Sequence, residues 1–384
     1  MERLTSSLLR ELVAIDSVNP SLVAGARGEA EAARFVQQWL ASHGVAAELQ
    51  EASADAAFSR PNVVACIGPG GDATAGLLIV AHIDTVGAGD MREPFTPRER
   101  DGRLYGRGAL DIKSGVAAMC AAAASLVEQN AKLSKSLVIA AVVDEECNSI
   151  GTQALVKQVR AEAAVVLEPT DLRLCIAHKG YAWVEVITRG RAAHGSLPDE
   201  GRDAIAYMGR VLARVEALDC ELAARPPHAL LGRGSIHASL ISGGQELSSY
   251  PAECRMQIER RTLPGETGTH AEAELRDILT ALAAKDTDFR AEAKLLAERT
   301  PYEISADSPI ASAAANALRR VTGSAEMCGM AFWTDTALLA EAGIPGVVFG
   351  PRGRGLHGAD EYVELDSVVV CAAALRELAT RLCG

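Results

Sequence analysis

Aromatic residues are scarce in this 384-residue chain, at 4% against 48% hydrophobic residues overall. The rest of the composition is ordinary for a globular protein with room for two domains and a large core. Positive charge is also short: the formal net charge is −12, and no basic block of the kind that tracks phosphates occurs. That excludes nucleic acid or an anionic membrane surface as the main partner. Long hydrophobic runs are missing as well. The longest, residues 115–127, is too short and too rich in small side chains to span a bilayer. The N-terminal MERLTSSLLRELV carries charges inside its apolar pattern and reads as an amphipathic helix, not a signal peptide. No C-x-x-C pair occurs among the nine cysteines, an odd number. The expectation is reduced, scattered core thiols in a cytoplasmic protein, not a disulfide framework. Neither the glycines at 68–71 nor those at 106–108 complete the fingerprint of a nucleotide site.

What the chain does have is a repeated pattern of apolar runs that end in metal-ligand residue types. Residues 77–84, LLIVAHID, open as a buried strand and end in His82 and Asp84. Alternation along an extended chain puts those two on one side. The carboxylate can then accept the imidazole's other N–H and fix its tautomer. For one such pair a structural His–Asp hydrogen bond is an equally good reading. The pattern recurs, however. LVIAAVV (137–143) runs into Asp144, Glu145 and Glu146; AAVVL (163–167) runs into Glu168; PGVVF (345–349) leads to a glycine-rich loop with His357. Asp111, in GRGALDIKSG, is a fifth contributor just ahead of the helical run 116–127. In open α/β sheets ligands bind outside the carboxyl ends of the strands. Any one of these acids alone reads as a surface charge; five so placed point to a metal site.

Strand and helix patterns alternate to about residue 170, as in an α/β domain, with a long loop at 87–107 of the kind that is usually functional. Near 174 the texture changes. Residues 175–189 alternate apolar and polar as a half-exposed strand does, with an edge suited to pairing with a second copy, and they open a strand–helix–strand–strand–helix order. That order suggests a small antiparallel sheet covered by two helices. The expected division is 1–173 for the first part of an α/β domain, 174–287 for an insertion, and 288–384 for the second part. His178, His228, His237 and His270 fit no motif, and His43 reads as the end of a helix at 28–44.

The segments AHIDTV, GRGALDIKSG, DEECNSIGT, LEPT, RAAHGS, RRTLPGE and GLHGADEYV, spread from residue 81 to 363, together resemble the dinuclear-metal aminoacylase and carboxypeptidase family. That family includes acetylornithine deacetylase and succinyl-diaminopimelate desuccinylase. The resemblance implies a three-layer α/β catalytic domain with a mixed, mostly parallel sheet and an inserted α+β dimerisation domain. It also implies two divalent metal ions: His82, Asp111 and Glu168 on one, Glu146 and His357 with the bridging Asp111 on the other. Glu145 is then the general base and Asp84 the orienter of His82. Nitrogen and carboxylate donors without thiolate suit Zn²⁺, Co²⁺ or Mn²⁺.

By the same resemblance His194 supplies an oxyanion donor to the other subunit of a homodimer, and Arg261 binds a substrate carboxylate. Arg260, one residue off in an alternating strand, should face away. A departure from some relatives is Ser248, where they carry Asn three residues before the proline that is here Pro251. Arg352 and Arg354 lie near the expected substrate end, either for an acidic group or as solvated charges. The expected activity is hydrolysis of the amide of an N-acyl amino acid, a small-molecule substrate. A dipeptidase or glutamate-type carboxypeptidase is the alternative within the family, and a non-catalytic binding protein the one outside it.

Overall fold

The computed structural model describes residues 1–53, 58–70 and 74–384. Gly71, the last of the glycines at 68–71, lies outside the described residues. The chain forms two units, the first made of Met1–Ile176, Ile304–Cys328 and Thr334–Gly384, the second of Ala177–Glu303 and Gly329–Trp333.

The first unit is built on a mixed sheet whose centre is four parallel strands. Their order is Leu137–Val142, Leu77–His82, Ala164–Leu167, Gly346–Phe349. Pro61–Ile67 and Ala47–Glu51 extend it antiparallel on one side, and Leu174–His178 on the other. Leu77–His82 and Leu137–Val142 are buried at every position. Such strands are apolar on both faces because helices cover both. Leu78 and Val80 pack with Leu155 and Leu339 of the helices Ile150–Gln158 and Thr336–Glu341. The opposite layer holds Glu2–Val13, Ser114–Glu128 and Leu365–Cys383, which pack on one another. Alanines and a glycine in Ser114–Glu128 bring its backbone close to the sheet, and every residue from Ser114 to Leu126 is buried. By length and composition Ala109–Glu128 is apolar enough to cross a membrane, but it is a core helix.

Because the four central strands are parallel, their carboxyl ends share one edge of the sheet. His82 closes the first strand in the chain, while Glu145 and Glu146 follow the second and Glu168 the third. A separate four-stranded sheet, ordered Gly353–Arg354, Tyr362–Glu364, Arg103–Tyr105, Arg98–Arg100, joins the 87–107 loop to the segment around His357.

The second unit is an antiparallel sheet ordered Ser235–Gly243, Glu253–Thr262, Gly180–Arg189, Arg290–Arg299. The helices Ala204–Ala224 and Gly268–Ala283 cover one face. Three features differ from expectation. The stretch read as one strand at 175–189 breaks at Lys179, and its two parts belong to different sheets. Gly180–Arg189 is not an edge: it is paired on both sides, and the edges are Ser235–Gly243 and Arg290–Arg299. The unit also runs past 287, because Arg290–Arg299 pairs along nearly the whole of Gly180–Arg189. The thiols are not all reduced either. Cys175 and Cys328, 153 residues apart, form a disulfide between neighbouring strands.

His178 is fully buried in the second unit beside Tyr302 and Trp333, its Nδ1 3.0 Å from the Lys179 carbonyl oxygen. Burial pulls its pKa from 6.5 down to about 4. Between those values the unfolded chain binds a proton that the folded chain refuses, so stability falls as pH drops from 6.5 through 4. The full effect is on the order of 3 kcal/mol. His178→Asn keeps a donor for the Lys179 carbonyl and removes the titration. Denaturation of both proteins from pH 7 to 4 should show the wild type losing stability relative to the variant by that order. A gap that stays constant with pH would contradict the burial argument.

Candidate metal centre

Asp111 lies at the middle of the site. Its Oδ1 is 3.2 Å from His82 Nε2, and its Oδ2 is 3.3 Å from His357 Nε2. His82 Nε2 is 4.0 Å from Glu168 Oε1, and His357 Nε2 is 3.3 Å from Glu146 Oε2. Ligand atoms of His82, Glu145 and Glu168 lie within 4.8 Å of one another, as do those of His82, Asp111 and Glu146. All six side chains belong to the first unit. The peptide bond between Asp111 and Ile112 is cis.

Asp84 holds more than its neighbour. The Nδ1 of His82 is 3.0 Å from the backbone carbonyl of Asp84 and 3.5 Å from its carboxylate, so the carbonyl is the nearer acceptor. The fully buried carboxylate instead accepts the backbone N–H groups of Glu145 (3.1 Å) and Glu146 (3.2 Å). Asn19 donates to Asp84 at 2.8 Å and to Asp144 at 3.0 Å. Arg60 donates to Asn19 Oδ1 at 3.1 Å, lies 2.9 Å from Asp144, and pairs with the buried Glu29. Sequence reasoning missed Asn19, Arg60 and Glu29. They are single polar residues in ordinary segments, 31 to 125 positions from their partners. Asp335 was missed too: it is buried, accepts from Thr152, and has an unpartnered Oδ1.

The electrostatics say what the cluster lacks. Burial pushes the pKa of Glu145 well up, and the charge of Glu168 adds to it. Glu168 is raised likewise by burial and by Asp111 and Glu146. Burial also raises Asp111, but hydrogen bonds from His357 and His82 outweigh it and hold that carboxyl low. His357, bonded to Asp111 and Glu146, is driven up to about 10. Among the described residues no lysine or arginine pairs with Glu145, Glu146 or Glu168. Glu146 Oε1 is buried without a hydrogen-bond partner. Buried carboxylates in this number require countercharge. The side chains present fit divalent cations: two imidazoles, several carboxylates, one aspartate placed between two groups, and an acceptor oxygen left over.

Arg354 is 3.0 Å from Asp171 and Arg352 is 2.7 Å from Glu364, so both are engaged by acids, as solvated loop charges are. His194 and Arg261 lie in the second unit. His194 is exposed with Nδ1 2.8 Å from Ser196 Oγ, and its loop is tied to the Ser248 loop by the N–H of Gly195. Arg261 is 2.7 Å from Glu259 and lies over the Tyr181 ring, whereas Arg260 points the other way, buried against Glu266 and Glu274.

Residues 78–381 match the model of peptidase family M20/M25/M40. Acetylornithine deacetylase from Myxococcus xanthus is 32% identical over 395 residues, which cover 98% of this chain and 97% of that one. The aminopeptidase PepT of Bacillus cereus has a similar fold, with a TM-score of 0.81, 18% identity and coverage of 100% and 99%. So does a dinuclear metal-binding M20 peptidase of Bacillus subtilis, with a TM-score of 0.74, 16% identity and coverage of 100% and 98%.

With both oxygens of Asp111 engaged, its loss should cost metal at both groups. Elemental analysis of the wild type should give about two divalent ions per chain, and Asp111→Ala should retain fewer. A fully metallated Asp111→Ala protein would show that the centre lies elsewhere.

Proposed function

The chain belongs to peptidase family M20/M25/M40 and is a hydrolase acting on amides; from that premise we propose that it deacylates N-acyl amino acids, most like acetylornithine deacetylase. The observation that carries the proposal is the full-length similarity to acetylornithine deacetylase together with a complete cluster around Asp111. His82, Asp111 and Glu168 would hold one cation, and Asp111, Glu146 and His357 a second. Zn²⁺ is the first choice, with Co²⁺ and Mn²⁺ compatible with the same donors. Such cations lower the pKa of a water towards neutrality and polarise the amide carbonyl.

Glu145 takes the proton of the attacking water and delivers it to the leaving nitrogen. Its place in the cluster suits that work: it lies beside Glu168 and His82, and its backbone N–H is fixed by Asp84. Arg261 would bind the substrate carboxylate with a guanidinium fork, sharing its donors with Glu259. His194 would give an N–H to the oxyanion of a partner subunit's site. The edge strand Ser235–Gly243 supports pairing of two copies, since Leu240 and Ile241 on it are 65% and 56% exposed. Two-fold pairing is the common way to cover such an edge.

The aminopeptidase fold neighbour keeps a peptidase reading in view. A panel of N-acetyl and N-succinyl amino acids and dipeptides, run on Zn²⁺-, Co²⁺- and Mn²⁺-reconstituted protein, separates the two. Release of acetate or succinate is expected; turnover confined to dipeptides would replace the deacylase with a peptidase. Glu145→Gln should keep its metal and lose at least about 10²-fold in turnover. The reverse result, metal loss in Glu145→Gln and metal retention in Glu146→Gln, would exchange the two roles.

His194→Ala should bind metal normally and lose about 10²–10³-fold in turnover, the cost of one oxyanion donor. Mixing it with Glu145→Gln and allowing subunits to exchange gives dimers in which one site has both groups. Activity should partly return, and none returning after proven exchange would place His194 outside the chemistry.

A further inference from the structure

Arg107 and Glu361 form a second buried ion pair, 254 residues apart in sequence and 2.6 Å apart in space, each 1% exposed. Neither belongs to the metal cluster, yet the pair touches three segments that lead into it. Glu361 Oε1 accepts the backbone N–H groups of Leu110 (2.9 Å) and Asp111 (3.2 Å), and Oε2 accepts that of Gly108 (3.1 Å) as well as Arg107. Gly108 has φ +78, and a Cβ there would meet the Thr85 methyl at 2.6 Å, so this turn is held close to the loop that follows His82. Arg107 spends its remaining donors on the carbonyls of Gly87, Ala88 and His357. His357 has φ +58, a conformation that non-glycine residues adopt sparingly, and Arg107 bonds its carbonyl.

We propose that Arg107 and Glu361 are positioning residues that set the metal group made by Asp111, Glu146 and His357. The inference rests on the dinuclear reading above. Two of that group's three ligands hang directly on the pair, Asp111 by its N–H and His357 by its C=O. In the other group only Asp111 does, while His82 and Glu168 are carried by central strands. Backbone bonds of this kind fix where a ligand's side chain starts, as outer hydrogen bonds to metal ligands do. The site also requires a carboxylate. Every atom facing Glu361 is a donor, so a glutamine amide would turn its NH₂ against two of them, whichever way it lay.

The test titrates Zn²⁺ into the full-length protein against a chromophoric chelator, with thermal melts of the metal-free and loaded forms. Wild type should take up about two ions. Glu361→Gln should keep one ion at wild-type affinity and bind the second at least about 10-fold more weakly, with a smaller metal-induced rise in Tm. Arg107→Lys keeps the positive charge but loses the fork, and should show the same loss at one ion to a lesser degree; it carries the test if Glu361→Gln does not fold. Two ions at wild-type affinity, with both melts lowered equally, would make the pair mere core structure and overturn the proposal. Equal weakening of both ions would overturn its selectivity for one group. A wild type that binds fewer than two ions overturns the dinuclear reading itself, a result visible before any variant is made.

Discussion

The constraint on which the first unit depends is the burial of negative charge at one edge of its sheet. Asp111, Glu145, Glu146, Glu168 and Asp335 converge where, among the described residues, only the imidazoles of His82 and His357 offer countercharge. Left to itself such a cluster would take up protons or open to water. Two of its turns are pinned by backbone N–H groups to other buried carboxylates, and those carboxylates are answered by buried arginines, one directly and one through a linking asparagine. Under the Glu145–Glu146 turn, Asp84 accepts both amides, and Asn19 links it to Asp144 and Arg60. Under the Asp111 turn, Glu361 accepts three amides and Arg107 neutralises it. The two arrangements share no residue but follow one logic. A carboxylate organises the amides of a ligand-bearing turn, and a guanidinium offsets the buried negative charge, directly at Glu361 and through Asn19 and Asp144 at Asp84.

The parts legible in the sequence are those that strand physics forces into a local pattern. A parallel strand buried on both faces is a continuous apolar run, so its end is easy to see and the polar residue that follows it stands out. His82, Glu145, Glu146 and Glu168 were found that way, and the two-unit organisation was visible as a change from continuous to alternating runs. What escaped has no local signature. Asn19 lies in a segment that reads as a helix stop, and Arg60 in a polar stretch before a strand. Arg107 lies in a loop of mixed charge, and their roles come from partners far away in sequence. Glu361 stood inside a recognised motif, but nothing in the motif says that its carboxylate faces four donors.

The sheet errors have a physical reason as well. Residues 175–189 read as one alternating strand because Lys179 is as acceptable in an exposed strand position as at a junction. Only the pairing of Leu174–His178 with the first sheet shows the break. Arg290–Arg299 alternates polar and apolar only over 290–295, its apolar residues are mostly alanine, and every position but Ala293 is partly or fully exposed, so it does not stand out as a partner for Gly180–Arg189. The disulfide was invisible because Cys175 and Cys328 sit on strands brought together only by the fold, and an odd cysteine count says nothing about one pair.

The division of residues between the two units has a chemical consequence. Every member of the metal cluster is in the first unit, at strand ends or on turns tied to buried carboxylates, while the two residues proposed to meet substrate groups, His194 and Arg261, are in the second. Arg261 is partly exposed and already holds Glu259, so a substrate carboxylate arriving there exchanges with or joins an existing partner and does not fill an empty charge. Arginine has five donors and can serve both. The net gain is then set by geometry, and an acid of the wrong shape gains little over Glu259 itself. On the proposed function, selectivity among acyl amino acids would then be a property of the second unit's surface. The turns that carry Asp111, Glu145 and Glu146 are held more closely, because each depends on a buried carboxylate that accepts its backbone amides.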